Sequence, residues 1–319
     1  MKIILSIMVL IGFMLIPAPP TKAASRWVQS TSISGANIMG IASYELDQGW
    51  AVSGNLSGRI YAFDGSNWTL QTETGTPLQA IDSYQDDQIY AVGSSSGNGR
   101  IFYNEGSGWD LQTEIIDSGT LYDIFDGSSS RIYAVGDNGI IWRNYGFGSW
   151  SIFTSTGDNS WNAVDGIDQD NFWVAGYSGC GFSKIMNWHV TPYAWTVMTE
   201  VNLGGNNQLR DLAVVSPPNL WACGDDGIIM HYDGTAWSIF TDLGSANIYA
   251  ITAYPQEAES VRAASSDGKI YGFNGSKWVL QTDLGPTPIR SLDTSTKAGG
   301  WAAAGESILK SIPVRRIFD

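Results

Sequence analysis

Residues 221–241 read WACGDDGIIMHYDGTAWSIFT, and the phrase divides at once into strands and turns. Trp221–Gly224 is a short apolar strand, Asp225-Asp226-Gly227 a turn whose glycine can take positive φ, and Ile228–Tyr232 a second strand, so the three make a hairpin. Asp233-Gly234-Thr235 is again turn chemistry, because Asp bonds nearby backbone and Gly relieves the left-handed position, and Trp237–Thr241 follows as a third strand. Upstream, Leu209–Leu212 supplies a fourth. Four antiparallel strands on short turns form one small twisted sheet with two apolar faces, which needs neighbours to be stable in water.

The neighbours are in the same chain. The strand opening on a large residue recurs as Trp50-Ala51-Val52-Ser53, Tyr90-Ala91-Val92-Gly93, Tyr133-Ala134-Val135-Gly136, Trp173-Val174-Ala175-Gly176, Arg262-Ala263-Ala264-Ser265 and Trp301-Ala302-Ala303-Ala304, seven copies in all. The tryptophan of the last strand recurs as Trp68, Trp109, Trp150, Trp195, Trp237 and Trp278, at separations of 41, 41, 45, 42 and 41, and Thr follows four residues after each. An apolar-x-x-apolar pattern recurs as Ile38/Ile41, Leu78/Ile81, Leu121/Ile124, Trp161/Val164, Leu209/Leu212, Ile248/Ile251 and Ile289/Leu292. A period near 40 with four strands per repeat is that of a propeller blade. The chain is therefore expected to be an all-β, seven-bladed β-propeller of four antiparallel strands per blade. A seventh copy of the Trp strand stands alone at Trp27–Thr31, and the last repeat lacks that strand, so the N-terminal strand is expected to complete the last blade and close the ring.

The phrase W/Y-A-V-G-D-x-G-x-I-x-x-Y-D-G-x-x-W is similar to the blade repeat of secreted bacterial and archaeal propellers, a loose group related to the photosystem II assembly-factor propellers and to BNR-type repeat proteins. The resemblance covers residues 26–312 and implies the fold. The chain departs from both named groups. Ser265-Ser266-Asp267-Gly268-Lys269 begins like a sialidase Asp-box but lacks its later spacing, and the chain is acidic where the assembly factors are associated with a basic patch. Neither group's functional residues carry over.

Residues 1–23 read as a secretory signal: Met1-Lys2 is a positive start, Ile3–Ile16 an apolar run, and Thr21-Lys22-Ala23 a cleavage site with small residues at both recognition positions. An uncleaved anchor would need about 20 apolar residues. The propeller is expected over 24–312 and a short tail over 313–319. These features lead to an exported protein, in the periplasm or outside the cell, without stable membrane insertion. With 17 Lys+Arg against 31 Asp+Glu, a net charge of −14, and no basic cluster, nucleic acid is not an expected partner.

No catalytic set emerges. His189 and His231 are the two histidines, no metal-ligand spacing or G-x-S-x-G elbow occurs, and the chain is read as non-enzymatic, with no cofactor and no metal. Cys180 and Cys223 lie in adjacent blades, either as buried thiols or as a disulfide. Sequons stand at Asn55, Asn67 and Asn274. Blade four carries a longer, aromatic segment, Met186–Tyr193, and a long loop, Glu200–Gln208, each either a binding graft or a tolerated insertion.

Two sets of positions are candidate sites. Five residues after each last-strand Trp come Glu73, Glu114, Glu200, Asp242 and Asp283, with Ser155 and Ser32 completing the series; this is either an acidic ring for cations and basic partners or simple strand termination. One residue into each innermost strand come Met39, Gln79, Tyr122, Asn162, Arg210, Tyr249 and Arg290, a varied set suited to a specific pocket at the channel mouth. There Arg210 and Arg290 would engage anionic or carbonyl groups and Tyr122 and Tyr249 would stack. The expected function is a protein-binding scaffold or recognition module. A glycan-binding lectin is the alternative, marked by exposed Trp or Tyr repeated across blades. A sialidase- or lyase-like hydrolase is a third reading, marked by carboxylate, Tyr and Arg clustered at the channel mouth.

Overall fold

The computed structural model describes residues 25–313 apart from 86–87, 129–130, 146–147, 158–159, 179–180, 190–192, 256, 258–259 and 297–298. The leader assigned to residues 1–23, Cys180 and residues 314–319 lie outside the described residues. The strands form seven four-stranded antiparallel sheets. Six are continuous in sequence: blade 1 (38–73), blade 2 (78–115), blade 3 (121–155), blade 4 (160–202), blade 5 (209–242) and blade 6 (248–283). Blade 7 takes three strands from 289–313 and its fourth, Ser25–Ser32, from the start of the chain.

The closing strand runs antiparallel to Ser307–Pro313, with Trp27 opposite Ser311 and Gln29 opposite Leu309. Trp27 is only 4% exposed, and its indole N–H donates to Gln281 Oε1 at 3.2 Å across the seam to blade 6. The chain ends therefore complete each other, as their unmatched strand phrases predict.

Why the repeat carries the residues it does becomes clear at the seams between blades. All fourteen residues of the apolar-x-x-apolar pattern are buried. The seven apolar clusters of the core each draw on two adjacent blades, so that blade 5 supplies Leu209, Leu212 and Ala222 to the cluster it shares with Trp173 and Ile185 of blade 4. The aromatic of the second strand packs on the outer strand of the following blade. The Trp221 ring centroid lies 5.5 Å from that of Trp278, and that of Trp301 lies 5.2 Å from that of Trp68. Blade 6 places Arg262 in the aromatic slot, where burial pushes its pKa down to about 10 and its guanidinium sits 5.8 Å from the Trp27 ring.

The glycine closing the second strand has a separate cause. A Cβ at Gly93, Gly136, Gly176 or Gly224 would stand 2.0 to 2.3 Å from the carbonyl oxygen at the start of that blade's own innermost strand or just before it. That carbonyl accepts the next backbone N–H, as in Asp137 N to Thr120 O at 3.0 Å. Glycine thus permits the first two strands to close at the end where the site forms. Gly136→Ala is expected to destabilise the fold by about 2 kcal/mol through backbone displacement, read as a shift in urea midpoint at unchanged m-value.

Candidate functional site at the channel mouth

In every blade the register between the first and second strands slips at the same place. The shift falls between Ile38 and Gly40, Leu78 and Ala80, Leu121 and Asp123, Trp161 and Ala163, Leu209 and Asp211, Ile248 and Ala250, and Ile289 and Ser291. The residue left over each time is Met39, Gln79, Tyr122, Asn162, Arg210, Tyr249 or Arg290, the positions singled out from the sequence. A β-bulge leaves its extra residue unpaired and re-aims the side chain. Here the seven bulges, joined by Gln208, line one cavity of 300 Å³.

Their contacts differ in kind. Tyr122 donates its hydroxyl to Asp137 Oδ1 at 3.0 Å, and burial together with that carboxylate pushes the phenol up to about 12. Arg210 pairs through Nε with Asp225 Oδ1. Asn162 Nδ2 donates to Gln208 Oε1 at 3.1 Å and to the Leu209 carbonyl at 2.7 Å. The Tyr249 ring is flanked by two guanidiniums, Arg290 at 4.5 Å and Arg210 at 5.2 Å from its centroid. Arg290 makes no ion pair among the described residues.

Asp225, a turn residue in the sequence, and its blade 3 counterpart Asp137 have a second role in the structure. Each uses its other oxygen to accept a backbone N–H at the start of its own blade's inner strand, Thr120 N at 2.8 Å and Gln208 N at 3.1 Å. The residues after them, Asn138 and Asp226, take φ of 64° and 54°, the left-handed conformation that Asn and Asp tolerate best. The turn thus fixes the carboxylate, and the carboxylate fixes Tyr122 or Arg210.

Below the mouth lies a feature that the sequence reading passed over. Five inner-strand carboxylates line a polar channel cavity of 360 Å³: Asp82, Asp123, Asp165, Asp211 and Asp293. Four accept one backbone N–H from the residue that follows them in their own strand and one from the next blade, the latter being Asp126 N, Val164 N, Val214 N and Ile251 N, each at 2.8 Å. Asp293 meets the Ser43 hydroxyl of blade 1, beside a bond from Ile41 N to Ser291 Oγ at 3.2 Å. Burial raises all five: Asp82 to about 6, Asp211 and Asp293 to about 7, Asp165 to about 8, and Asp123 well above the ordinary range. These carboxylates sit two or four residues after the first apolar residue of each strand, a spacing visible in the sequence had the whole strand been aligned rather than one column.

The proposed acidic ring is dispersed into local contacts. Glu73 pairs with Arg59 at 2.7 Å, Glu114 with Arg100 at 3.4 Å and Glu200 with Lys184 at 3.6 Å, each across one hairpin. Asp242 and Asp283 accept the N–H of Gly244 and Gly285 at 2.7 and 2.8 Å. All five lie in the outermost strands, at the end or within two residues of it, so they sit at the perimeter, away from the channel. Among the described residues no group of three His, Cys, Asp or Glu is placed to hold a metal ion.

His231 packs against Trp221 with centroids 4.2 Å apart, bonds Asn219 Oδ1 at 2.8 Å, and has its pKa lowered by burial, as a structural histidine would. Cys223 is buried as a free thiol, its Sγ 3.5 Å from the Ile248 carbonyl and its pKa raised by burial. The blade-four segment extends a hairpin, with His189 paired to Ala194 and the Trp188 and Trp195 rings 5.6 Å apart. The Glu200–Gln208 loop delivers Gln208 to the mouth.

At the perimeter, blades 1 to 6 each expose one apolar side chain at the same register, Leu70, Leu111, Ile152, Val197, Ile239 and Leu280, where blade 7 has Gln29. The exposed residues repeated at this register are aliphatic, exposed Tyr44 and Tyr254 hold equivalent positions in blades 1 and 6, and the repeated last-strand Trp residues pack at the seams.

No family model matches the chain, and no curated protein matches it by sequence. Solved structures do match in fold. A structure of YCF48 bound to D1 peptide superposes with TM-score 0.69 at 15% identity, over 92% of this chain and 97% of that one. The WD40 β-propeller domain of Doa1 gives 0.69 at 15% identity over 92% and 98%. A streptogramin B lyase gives 0.73 at 15% identity over 91% and 98%.

Proposed function

We propose that the chain is an exported, non-catalytic propeller that recognises a segment of another protein at the mouth of its central channel. The observation that carries this reading is the repeated bulge, which turns Gln79, Tyr122, Asn162, Arg210, Tyr249 and Arg290 into one cavity while the sheets stay rigid behind them. Side chains that vary from blade to blade, set on a frame that repeats in every blade, separate recognition from folding. Similar propellers include one captured with a bound peptide, which supports the reading by analogy of fold. Export rests on the leader, and a precursor whose residues 1–23 are retained in the cytoplasm would refute it.

Peptide and glycan arrays probed with residues 24–319 test the reading. Binding of peptides that Tyr122→Ala and Arg210→Ala each weaken at least about tenfold is the expected result. Binding confined to glycans, with the same dependence on the two variants, would establish the lectin instead. The hydrolase reading has one observation in its favour: Tyr122 and Arg210 both line the mouth, and each is bonded to a carboxylate, Asp137 or Asp225. Both carboxylates are engaged by backbone N–H groups and by those same side chains, which suits a rigid wall better than a proton shuttle. Catalytic release of product from any glycan on the array would overturn the non-catalytic assignment.

A further inference from the structure

We infer that the ligand recognised at the mouth carries a carboxylate, and that this carboxylate seats on Arg290. The inference rests on the mouth being the binding site and adds the chemistry of the group that it selects.

The two arginines of the mouth are not equivalent. Arg210 is neutralised by Asp225, which is itself fixed by the Gln208 N–H, so this pair is part of the wall. Arg290 faces the same Tyr249 ring at 4.5 Å and has no carboxylate of its own among the described residues. A guanidinium laid over an aromatic ring keeps its charge and its hydrogen-bonding edge while losing rotational freedom, the arrangement that favours a two-point bond to a planar anion. The mouth therefore presents one oriented, uncompensated cation in a chain of net charge −14.

The surroundings limit what that cation accepts. Arg210 and Arg290 together disfavour a cationic group. A dianionic phosphate would exceed the single free charge, whereas one carboxylate balances Arg290 alone. The remainder of the ligand then crosses the cavity toward Tyr122, Asn162 and Gln79. In a protein segment the carboxylate comes either from the C-terminus or from an Asp or Glu side chain.

Three random octapeptide libraries separate the sources: free C-terminus without Asp or Glu, amidated C-terminus with Asp and Glu, and amidated without either. Each is titrated against the mature protein, Arg290→Gln, Arg290→Lys and Tyr122→Ala, with thermal melts to verify that every variant folds. The expected result is binding of at least one carboxylate-bearing library, absent from the uncharged one, weakened about tenfold or more by Arg290→Gln and only partly restored by Arg290→Lys, because Lys keeps the charge without the fork. Preference for the first library assigns the C-terminus; preference for the second assigns an acidic side chain. Equal binding of the uncharged library, insensitive to Arg290→Gln but lost in Tyr122→Ala, would overturn the carboxylate while leaving the mouth as the site. Binding of no library, or binding indifferent to every variant, would overturn both.

Discussion

Removing residues 26–32 is expected to lower the melting temperature by about 10 °C or more, and to leave a protein that aggregates on heating. The deleted strand makes the last ladder of blade 7, buries Trp27 to 4% exposure and contributes the donor of the Trp27–Gln281 bond to blade 6. Loss of one buried Trp costs about 3–5 kcal/mol in a core, and for a chain of this length each kcal/mol corresponds to roughly 1.5 °C, so the indole accounts for about 5–8 °C and the lost ladder adds to it. The deletion also exposes the edge of Ser307–Pro313, a template for pairing with other chains. Thermal melts followed by tryptophan fluorescence, with light scattering in parallel, measure both effects. An unchanged transition would mean that the ring is not closed by its N-terminal strand.

The second large effect is on pH. The channel carboxylates titrate above their unfolded value near 3.9: about 6 for Asp82, about 7 for Asp211 and Asp293, and about 8 for Asp165. Over that interval the folded chain holds more protons than the unfolded one, so their contribution is fully present below about pH 4 and is lost as pH rises through 6 to 8. The opposite behaviour comes from surface groups lowered by hydrogen bonds, such as Asp233 at about 2, whose contribution is lost only in stronger acid. Stability is therefore expected to peak near pH 5 and to fall by about 2 kcal/mol or more by pH 9, a figure reduced from the summed shifts because the channel admits water. Urea titrations at pH 5, 7 and 9 measure it. Asp165→Asn keeps the shape but removes one titrating group, and its curve should be flatter between pH 7 and 9. A native protein equally stable at pH 5 and pH 9 would show that the cross-blade bonds from Val214 N and its counterparts hold these carboxylates ionised throughout.

The fold was legible because one physical demand repeats. Each blade must bury two faces and turn sharply between strands, so Trp237, Ile228 and Asp233-Gly234 have counterparts at a nearly constant spacing and the count of blades follows. The mouth was legible for the opposite reason: the column beginning Met39 and Gln79 varies in size and polarity while the column before it stays apolar. What the spacing could not reveal is the bulge that turns that column inward, because a one-residue slip in register leaves no mark in a single strand. Nor could it show that Asp137 and Asp225 reach from a turn back to Tyr122 and Arg210, since those contacts join positions 15 residues apart through the fold of the hairpin. The carboxylates after each last-strand Trp are held apart for a related reason. Equivalent positions in a ring share a height and a radius, and at the outer radius each carboxylate meets its own hairpin before it meets another blade.

The central claim is that recognition occurs at the mouth and not on the apolar perimeter where Leu111 is exposed. A photo-crosslinking amino acid placed at Gln79 in one variant and at Leu111 in another, each irradiated with the three peptide libraries, compares the two places directly. The account predicts adducts from position 79 with the carboxylate-bearing peptides and none from position 111. Adducts from position 111 alone would place the binding surface on the rim and contradict it.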